Sequence, residues 1–189
     1  MSDTLVDAPA FEPFQSIARL SRNCVVTEKI DGTNAQVCVL EDGRVLAGSR
    51  TRWITPGDDN YGFAHWVSEH EAELRVGLGV GKHFGEWWGQ GIQRRYGIQE
   101  KRFSLFNTGR WNEQTKPGCC HVVPVLYEGV FTSDAVDSCL RDLSSGGSKA
   151  APGFMNPEGV VVYVVAARTL FKKTLEGDAH KGAKDKSTP

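Results

Sequence analysis

The sequence lacks an excess of either charge, because its 22 Lys and Arg residues face 23 Asp and Glu residues and the formal net charge is -1. This balance excludes proteins that coat nucleic acids through an overall basic charge. A polyanion would have to bind at a local cluster of cations. Basic residues do occur as close pairs, each of which alone indicates a solvated surface: Arg50 and Arg52, Arg94 and Arg95, Lys101 and Arg102, Lys172 and Lys173.

Long apolar runs and paired cysteine motifs are absent as well. No run approaches the ~20 residues that cross a bilayer, and the first residues do not resemble a signal peptide. The five cysteines form no Cys-x-x-Cys pair, and Cys119-Cys120-His121 lies between a turn and a strand, where buried thiols are expected. We therefore predict a cytoplasmic protein with free thiols and no membrane partner.

What the sequence does contain is glycine, 21 residues of it, among short β-branched and aromatic runs. This pattern predicts an α+β fold of mainly antiparallel sheets with flanking helices. A length of 189 residues with 40% hydrophobic content suits one domain over residues 1–189. We expect residues 1–13 to be an irregular lead-in, residues 14–20 to form a short helix or turn that packs Phe14 and Ile17, and residues 178–189 to be a disordered tail.

The predicted elements begin with strands at 24–30 and 35–40, joined by a turn at Asp31-Gly32. An Asp42-Gly43 hairpin then leads to a return strand at 45–49, which we expect to bring Arg50 and Arg52 beside the first strand. A helix is predicted at 58–75, capped by Asp58 or Asp59 and stopped at Gly77. Strands are predicted at 83–89, 103–107 and 121–130, the last with a break at Pro124. A helix at 133–143 and a linker at 144–148 follow, and then a strand pair at 159–167 and 169–175 that returns to the main sheet.

Two residues stand out as chemical candidates. Lys29 lies where a strand meets an Asp-Gly turn, which suits a nucleophile in a cleft, although the pattern alone favours an ordinary surface turn. Glu86 lies among three aromatic residues, an unfavourable place for a carboxylate unless it faces a polar cleft. Only the context of further residues decides between these interpretations.

That context is an ordered series of short motifs spanning residues 28–174. The series resembles the motifs of the covalent nucleotidyltransferases, which include polynucleotide ligases and RNA capping enzymes. Its members are Lys29 in Lys-Ile-Asp-Gly-Thr-Asn, Arg50 in Ser-Arg, Glu86 in Phe-Gly-Glu, Phe106 in Phe-Ser-Leu-Phe-Asn, Glu158 in Pro-Glu-Gly-Val-Val-Val, and Lys172. The likeness is greatest to the RNA ligases of the phage and kinetoplastid RNA-editing group, which share Asn34 and residues 85–93, whereas Asp31 is more like DNA ligases or capping enzymes.

The resemblance implies a nucleotidyltransferase (ATP-grasp-like ligase adenylation) domain that joins RNA 5'-phosphate and 3'-hydroxyl ends. Lys29 would take AMP from ATP, AMP would pass to the RNA 5'-phosphate, and the 3'-hydroxyl would displace it. Its implied catalytic residues are Lys29, Arg50 and Lys172. Its implied nucleotide-binding residues also include Glu28, Asn34, Glu86 at the ribose, Phe106 on adenine, Glu158 and Lys173, with Glu158 holding Mg²⁺ or Mn²⁺.

The residues themselves leave several points open. Glu86 and Glu158 both suit a hard metal ion or a ribose hydroxyl, and either Lys172 or Lys173 can face the cleft, though not both. After Lys173 too few residues remain for a C-terminal OB-fold, so we expect a bare catalytic domain, with RNA ends or a nicked duplex and an accessory protein or domain as partners. The alternatives are a DNA-nick ligase, a GTP-using capping enzyme, and a noncatalytic nucleotide or RNA-end binding module.

Overall fold

The computed structural model describes residues 12–14, 17 and 23–176, and these residues form two β-sheets and three helices. The strands are β1 (Asn23–Lys29), β2 (Thr33–Val39), β3 (Val45–Ser49), β4 (Trp53–Ile54), β5 (Gly81–Gly89), β6 (Lys101–Leu105), β7 (His121–Val122), β8 (Val125–Val130), β9 (Gly159–Val164) and β10 (Thr169–Thr174). The helices are α1 (Phe63–Glu69), α2 (Glu71–Leu78) and α3 (Ser133–Gly146). The α+β prediction is confirmed.

The first sheet is antiparallel, in the order β10-β9-β1-β8, and α3 covers one of its faces. Alternate strand residues such as Val26 and Val162 pack against Leu140 and Leu143 of the helix. The Thr132 hydroxyl accepts a hydrogen bond from the Ala135 N–H and so caps the start of α3. The predicted strand pair at 159–167 and 169–175 is present as β9 and β10, although β9 ends at Val164 and β10 at Thr174.

The second sheet has the order β4-β3-β2-β5-β6-β7 and is antiparallel except between β6 and β7. Helices α1 and α2 cover one face, where Val37, Phe63, Leu74, Trp87 and Phe103 are buried together. The opposite face is partly open. A smaller apolar cluster includes Ile30, Trp88, Tyr96 and Val123 and connects the two sheets.

The chain crosses from one sheet to the other at Gly32. A Cβ atom there would lie 2.5 Å from the Trp87 carbonyl oxygen and 3.0 Å from Glu86 Cγ, so the close approach itself requires glycine. Because β3 pairs with β2 and β4, the expectation that Arg50 and Arg52 return beside the first strand is wrong. Both arginines lie at the second sheet.

Other differences concern the helices and the first residues. The predicted helix at 58–75 is divided at His70 into α1 and α2, and it ends at Gly79 rather than Gly77. The predicted linker at 144–148 begins as the last turn of α3. Phe14 and Ile17 are 88% and 85% exposed instead of packed. The remainder of that segment, the rest of the lead-in and the predicted tail lie outside the described residues.

Candidate active site

Lys29, the last residue of β1, lies on the face of the first sheet that α3 leaves open. Lys29 is paired with Gly159, and two positions back Thr27 is paired with Val161, which is in turn paired with Lys172. Directly paired residues of antiparallel strands project from the same face. The two lysines therefore share a face, and Lys172 is exposed.

The closest partner of Lys29 is Glu158, the residue that precedes β9. Lys29 Nζ lies 2.7 Å from Glu158 Oε2, and the two side chains are 24% and 17% exposed. The next residue, Gly159, has φ 153°, and a Cβ atom there would collide with the Lys173 carbonyl oxygen. The Glu-Gly pair thus places a carboxylate at the amine while β10 packs closely alongside.

Glu86 approaches the same point from the second sheet. Its Oε1 accepts a hydrogen bond from the Gly32 N–H at 3.1 Å, and its Oε2 accepts one from the Asn34 side-chain amide at 3.0 Å. Burial, with a smaller effect of nearby Glu158, raises the pKa of Glu86 to about 7 against the opposing effects of Lys29 and the two hydrogen-bond donors. At neutral pH this carboxyl therefore shifts between its charged and neutral forms.

Arg94 fixes the turn that follows the lysine. Its guanidinium donates to Asp31 Oδ2 at 2.9 Å, to the Asn156 carbonyl at 3.3 Å and to Glu176 Oε1 at 2.8 Å. The Tyr96 hydroxyl accepts a hydrogen bond from the Asp31 N–H at 2.8 Å. The sequence predicted a solvated surface for the Arg94 and Arg95 pair, whereas Arg94 is 15% exposed and joins the segments that precede Glu158 and follow Lys172. The sequence feature that could have pointed to Arg94 is its position in a loop between two glycines, Gly91 and Gly97.

Two predicted site residues project away from Lys29. Glu28 is 1% exposed and accepts hydrogen bonds from the Ser148 hydroxyl, the Lys149 N–H and the Ala150 N–H at 2.5, 2.7 and 2.9 Å. Lys173 Nζ lies 2.5 Å from Asp137 Oδ1 on α3. Both residues are paired with Val160, which packs on the α3 side of the sheet.

The remaining predicted residues lie on the second sheet. Arg50 is exposed and forms no hydrogen bond or ion pair with any residue in 23–176, unlike Arg52, whose guanidinium binds both carboxylate oxygens of Asp58. Because Ala35 is paired with Ser49, Arg50 follows beside Asn34. Phe106 is 40% exposed, and its N–H donates to the Phe84 carbonyl at 3.0 Å.

The charged cluster lies in the open cleft between the sheets. A pocket of about 420 Å³ opens beside Trp88, Ser104, Pro124 and Lys149, and none of Lys29, Asn34, Glu86 or Glu158 lines it. No three His, Cys, Asp or Glu side chains group as a metal site within the described part of the chain. No helix described here is long and apolar enough to cross a membrane.

The fold is similar to that of RNA ligase from Naegleria gruberi. A ligand-free variant of that ligase superposes with a TM-score of 0.60 at 17% identity. Its variants with AMP and Mn and with ATP and Mn each give a TM-score of 0.59 at 18% identity. Each match covers 81% of this chain and 49% of the other, so this chain spans about half the length of the solved ligases.

The comparison with curated proteins found no significant relative. The family model of the RNA ligases, by contrast, matches residues 22–174, which contain Lys29, Asn34, Arg50, Glu86, Phe106, Glu158 and Lys172. Because this match covers most of the sequence, the chain belongs to the RNA ligase family.

Proposed function

We propose that the chain is the adenylation domain of an ATP-dependent RNA ligase and that Lys29 is its nucleophile. The observation that carries the proposal is the convergence of Lys29, Glu158 and Glu86 from two sheets in a member of the RNA ligase family. The ion pair with Glu158 holds the Lys29 amine in the site, and attack on a phosphate requires this amine to be neutral and released from the carboxylate.

In the first step the Lys29 ammonium loses a proton to water, and the neutral amine attacks the α-phosphate of ATP. A bond forms from Nζ to the α-phosphorus, and the bond from that phosphorus to the bridging oxygen breaks. Pyrophosphate leaves with the electron pair. The step also requires the amine to leave its ion pair with Glu158, so binding of ATP and separation of this pair are coupled.

The other residues bind and orient the nucleotide. Lys172, on the same sheet face as Lys29, neutralises phosphate charge, and Arg50 does so from the second sheet. Phe106 offers an exposed ring for adenine. Glu86, whose pKa lies near neutrality, hydrogen-bonds the ribose in either protonation state.

The donor set fits a hard divalent cation bound jointly by protein and substrate. Glu158 offers a carboxylate oxygen in the cleft, and Mg²⁺ is commonly held by one or two carboxylates together with substrate phosphates and water. Glu158 would hold Mg²⁺ or Mn²⁺ there, and the ion would neutralise phosphate charge when bound. The Naegleria ligase variants solved with Mn agree with this choice.

AMP then passes from Lys29 to an RNA 5'-phosphate, and an RNA 3'-hydroxyl displaces it. The substrates are RNA ends or a nicked duplex, and an accessory protein or domain closes over them. We place residues 1–189 in one domain and the protein in the cytoplasm, where its five free cysteines stay reduced.

Incubation with α-labelled ATP and Mg²⁺ or Mn²⁺ tests the proposal. We expect an acid-labile labelled protein, stoichiometric pyrophosphate release, and no label in Lys29→Ala. Absence of label, or label that persists in Lys29→Ala, contradicts the proposal. Preference for GTP, or for nicked DNA over nicked RNA in a following sealing assay, would instead assign the domain to a capping enzyme or a DNA ligase.

A further inference from the structure

A line of three aromatic side chains crosses the open face of the second sheet. Trp53 is paired with Gly48, Gly48 with Gln36, and Gln36 with Phe84, so these residues lie side by side on one face. Phe106 continues the line, since its N–H donates to the Phe84 carbonyl. We call Trp53, Phe84 and Phe106 the aromatic row.

The rings of the aromatic row are exposed. Trp53, Phe84 and Phe106 are 48%, 55% and 40% exposed, and none of them contacts another ring among residues 23–176. The Gln36 side chain lies across Gly48, where a Cβ atom would come within 2.7 Å of it. Gly48 and the Gln36 side chain therefore lie between Trp53 and Phe84, and three strand spacings place the backbones of these two residues about 14 Å apart.

The charge around this surface is positive. Lys82 lies two residues before Phe84 on the same face of β5, and Arg50 follows β3 two residues after Gly48. Both cations are exposed and form no ion pair within the described residues. The acid on this face, Glu86, is buried and already accepts two hydrogen bonds. Exposed aromatic rings between unpaired cations match single-stranded nucleic acid, whose bases stack and whose phosphates are anionic.

We propose that Trp53 and Phe84 form a base-stacking surface for the single-stranded end of the RNA substrate, with Arg50 and Lys82 contacting its phosphates. The proposal rests on the proposed function, since it deepens the choice of RNA as substrate. Phe106, at the far end of the row, is left to adenine. Base recognition by stacking is tolerant of sequence, so the surface would accept varied RNA ends.

Binding of a fluorescent single-stranded RNA to the full chain tests this surface without any chemical step. We expect Trp53→Ala and Phe84→Ala each to raise the Kd about tenfold, and Trp53→Phe to restore most of the loss. Phe131→Ala removes an equally exposed ring, 42% exposed, that lies outside the second sheet, and it should bind RNA as the parent chain does.

A second readout separates stacking from general surface damage. Trp53 is the exposed tryptophan of the five, because Trp87, Trp88 and Trp111 are buried and Trp66 is half-buried. We expect RNA to quench the intrinsic fluorescence of the parent chain and much less that of Trp53→Phe. An oligonucleotide without bases at its end should bind the parent chain and Trp53→Ala with the same Kd.

Three results would overturn the stacking surface. The first is an unchanged RNA Kd in both alanine variants, and the second is an equally raised RNA Kd in Phe131→Ala. The third is weaker binding of the oligonucleotide without terminal bases by Trp53→Ala than by the parent chain. Labelling with ATP alone is measured in parallel. Normal labelling of both variants is expected, whereas labelling lost in step with RNA binding would assign the rings to ATP instead. Failure of the parent chain to label would contradict the proposed function while leaving the RNA-binding result readable.

Discussion

The two sheets each bury one face under helices and differ in what the other face carries. The first sheet presents charge, with Lys29 beside Glu158 and Lys172 on the same face two strands away. The second sheet presents an amide, a buried acid and exposed rings. In the proposed function, the nucleophile and the metal ligand come from the first sheet, whereas the groups that contact ribose and bases come from the second.

The largest expected effect on this division comes from removing Glu158, the acid beside the proposed nucleophile. Glu158→Ala leaves the Lys29 ammonium without its partner and removes the carboxylate proposed for the metal, so we expect the rate of AMP attachment to fall about a hundredfold or more. Glu128→Ala deletes an exposed acid of the same sheet and should label as the parent chain does. A normal rate in Glu158→Ala would remove Glu158 from the site.

Glu86, on the second sheet, has a pKa of about 7, which predicts how the stability of the protein depends on pH. Because the folded protein holds this proton more tightly than the unfolded chain, its contribution to stability falls as pH rises from about 4.5 to about 7. The loss amounts to about 3 kcal/mol at most. We expect the free energy of unfolding in urea to fall less between pH 5 and pH 8 in Glu86→Gln than in the parent chain.

The control for this measurement is Glu128→Gln, an exposed acid that should keep the pH dependence of the parent chain. A Glu86→Gln variant whose stability changes with pH as the parent's does would show that Glu86 titrates normally. The prediction that the Glu86 carboxyl changes from neutral to charged near neutral pH would then be wrong.

Glu28 tests whether a buried acid next to the nucleophile belongs to the site. Its carboxylate accepts three hydrogen bonds from residues 148–150, so Glu28→Ala leaves buried donors unpaired and should lower the free energy of unfolding by about 2 kcal/mol. AMP attachment at a temperature where the variant is folded should persist. A loss of labelling without a loss of stability would restore the nucleotide-binding role that the resemblance implies.

The adjacent lysines of β10 give the smallest and most closely matched comparison. Lys172→Ala removes a cation on the Lys29 face that forms no ion pair with residues 23–176, and we expect AMP attachment to slow about tenfold. Lys173→Ala breaks an exposed ion pair with Asp137 and should cost less than 1 kcal/mol of stability with normal labelling. The reverse result would assign Lys173 to the phosphate.

Much of this arrangement could be predicted from sequence. The ordered motifs selected Lys29, Glu86 and Glu158, which the fold brings together. Alternation along β1 could already have placed Glu28 on the face opposite Lys29. The membership of β1 and β2 in different sheets could not be predicted, because Asp31-Gly32 resembles a hairpin turn and the need for glycine comes from Trp87 and Glu86 across the cleft.

Contacts between segments that are distant in the sequence could not be predicted either. The Lys173–Asp137 pair depends on how α3 lies against β10, and the three partners of Arg94 come from residues 31, 156 and 176. The break between α1 and α2 was hidden because the apolar pattern continues across His70, from Trp66 and Val67 to Leu74. Periodicity reports which residues are buried, but not where a helix is interrupted.

The position of the nucleotide on the chain tests the central claim most directly. After incubation with ATP and Mn²⁺, peptide mapping by mass spectrometry should find the mass of one AMP on Lys29 and none on the peptide that holds Lys172 and Lys173. Lys29→Arg, which keeps the positive charge beside Glu158 but is not a nucleophile, should carry no AMP. AMP on any other residue, or on the Lys29→Arg protein, would contradict the account.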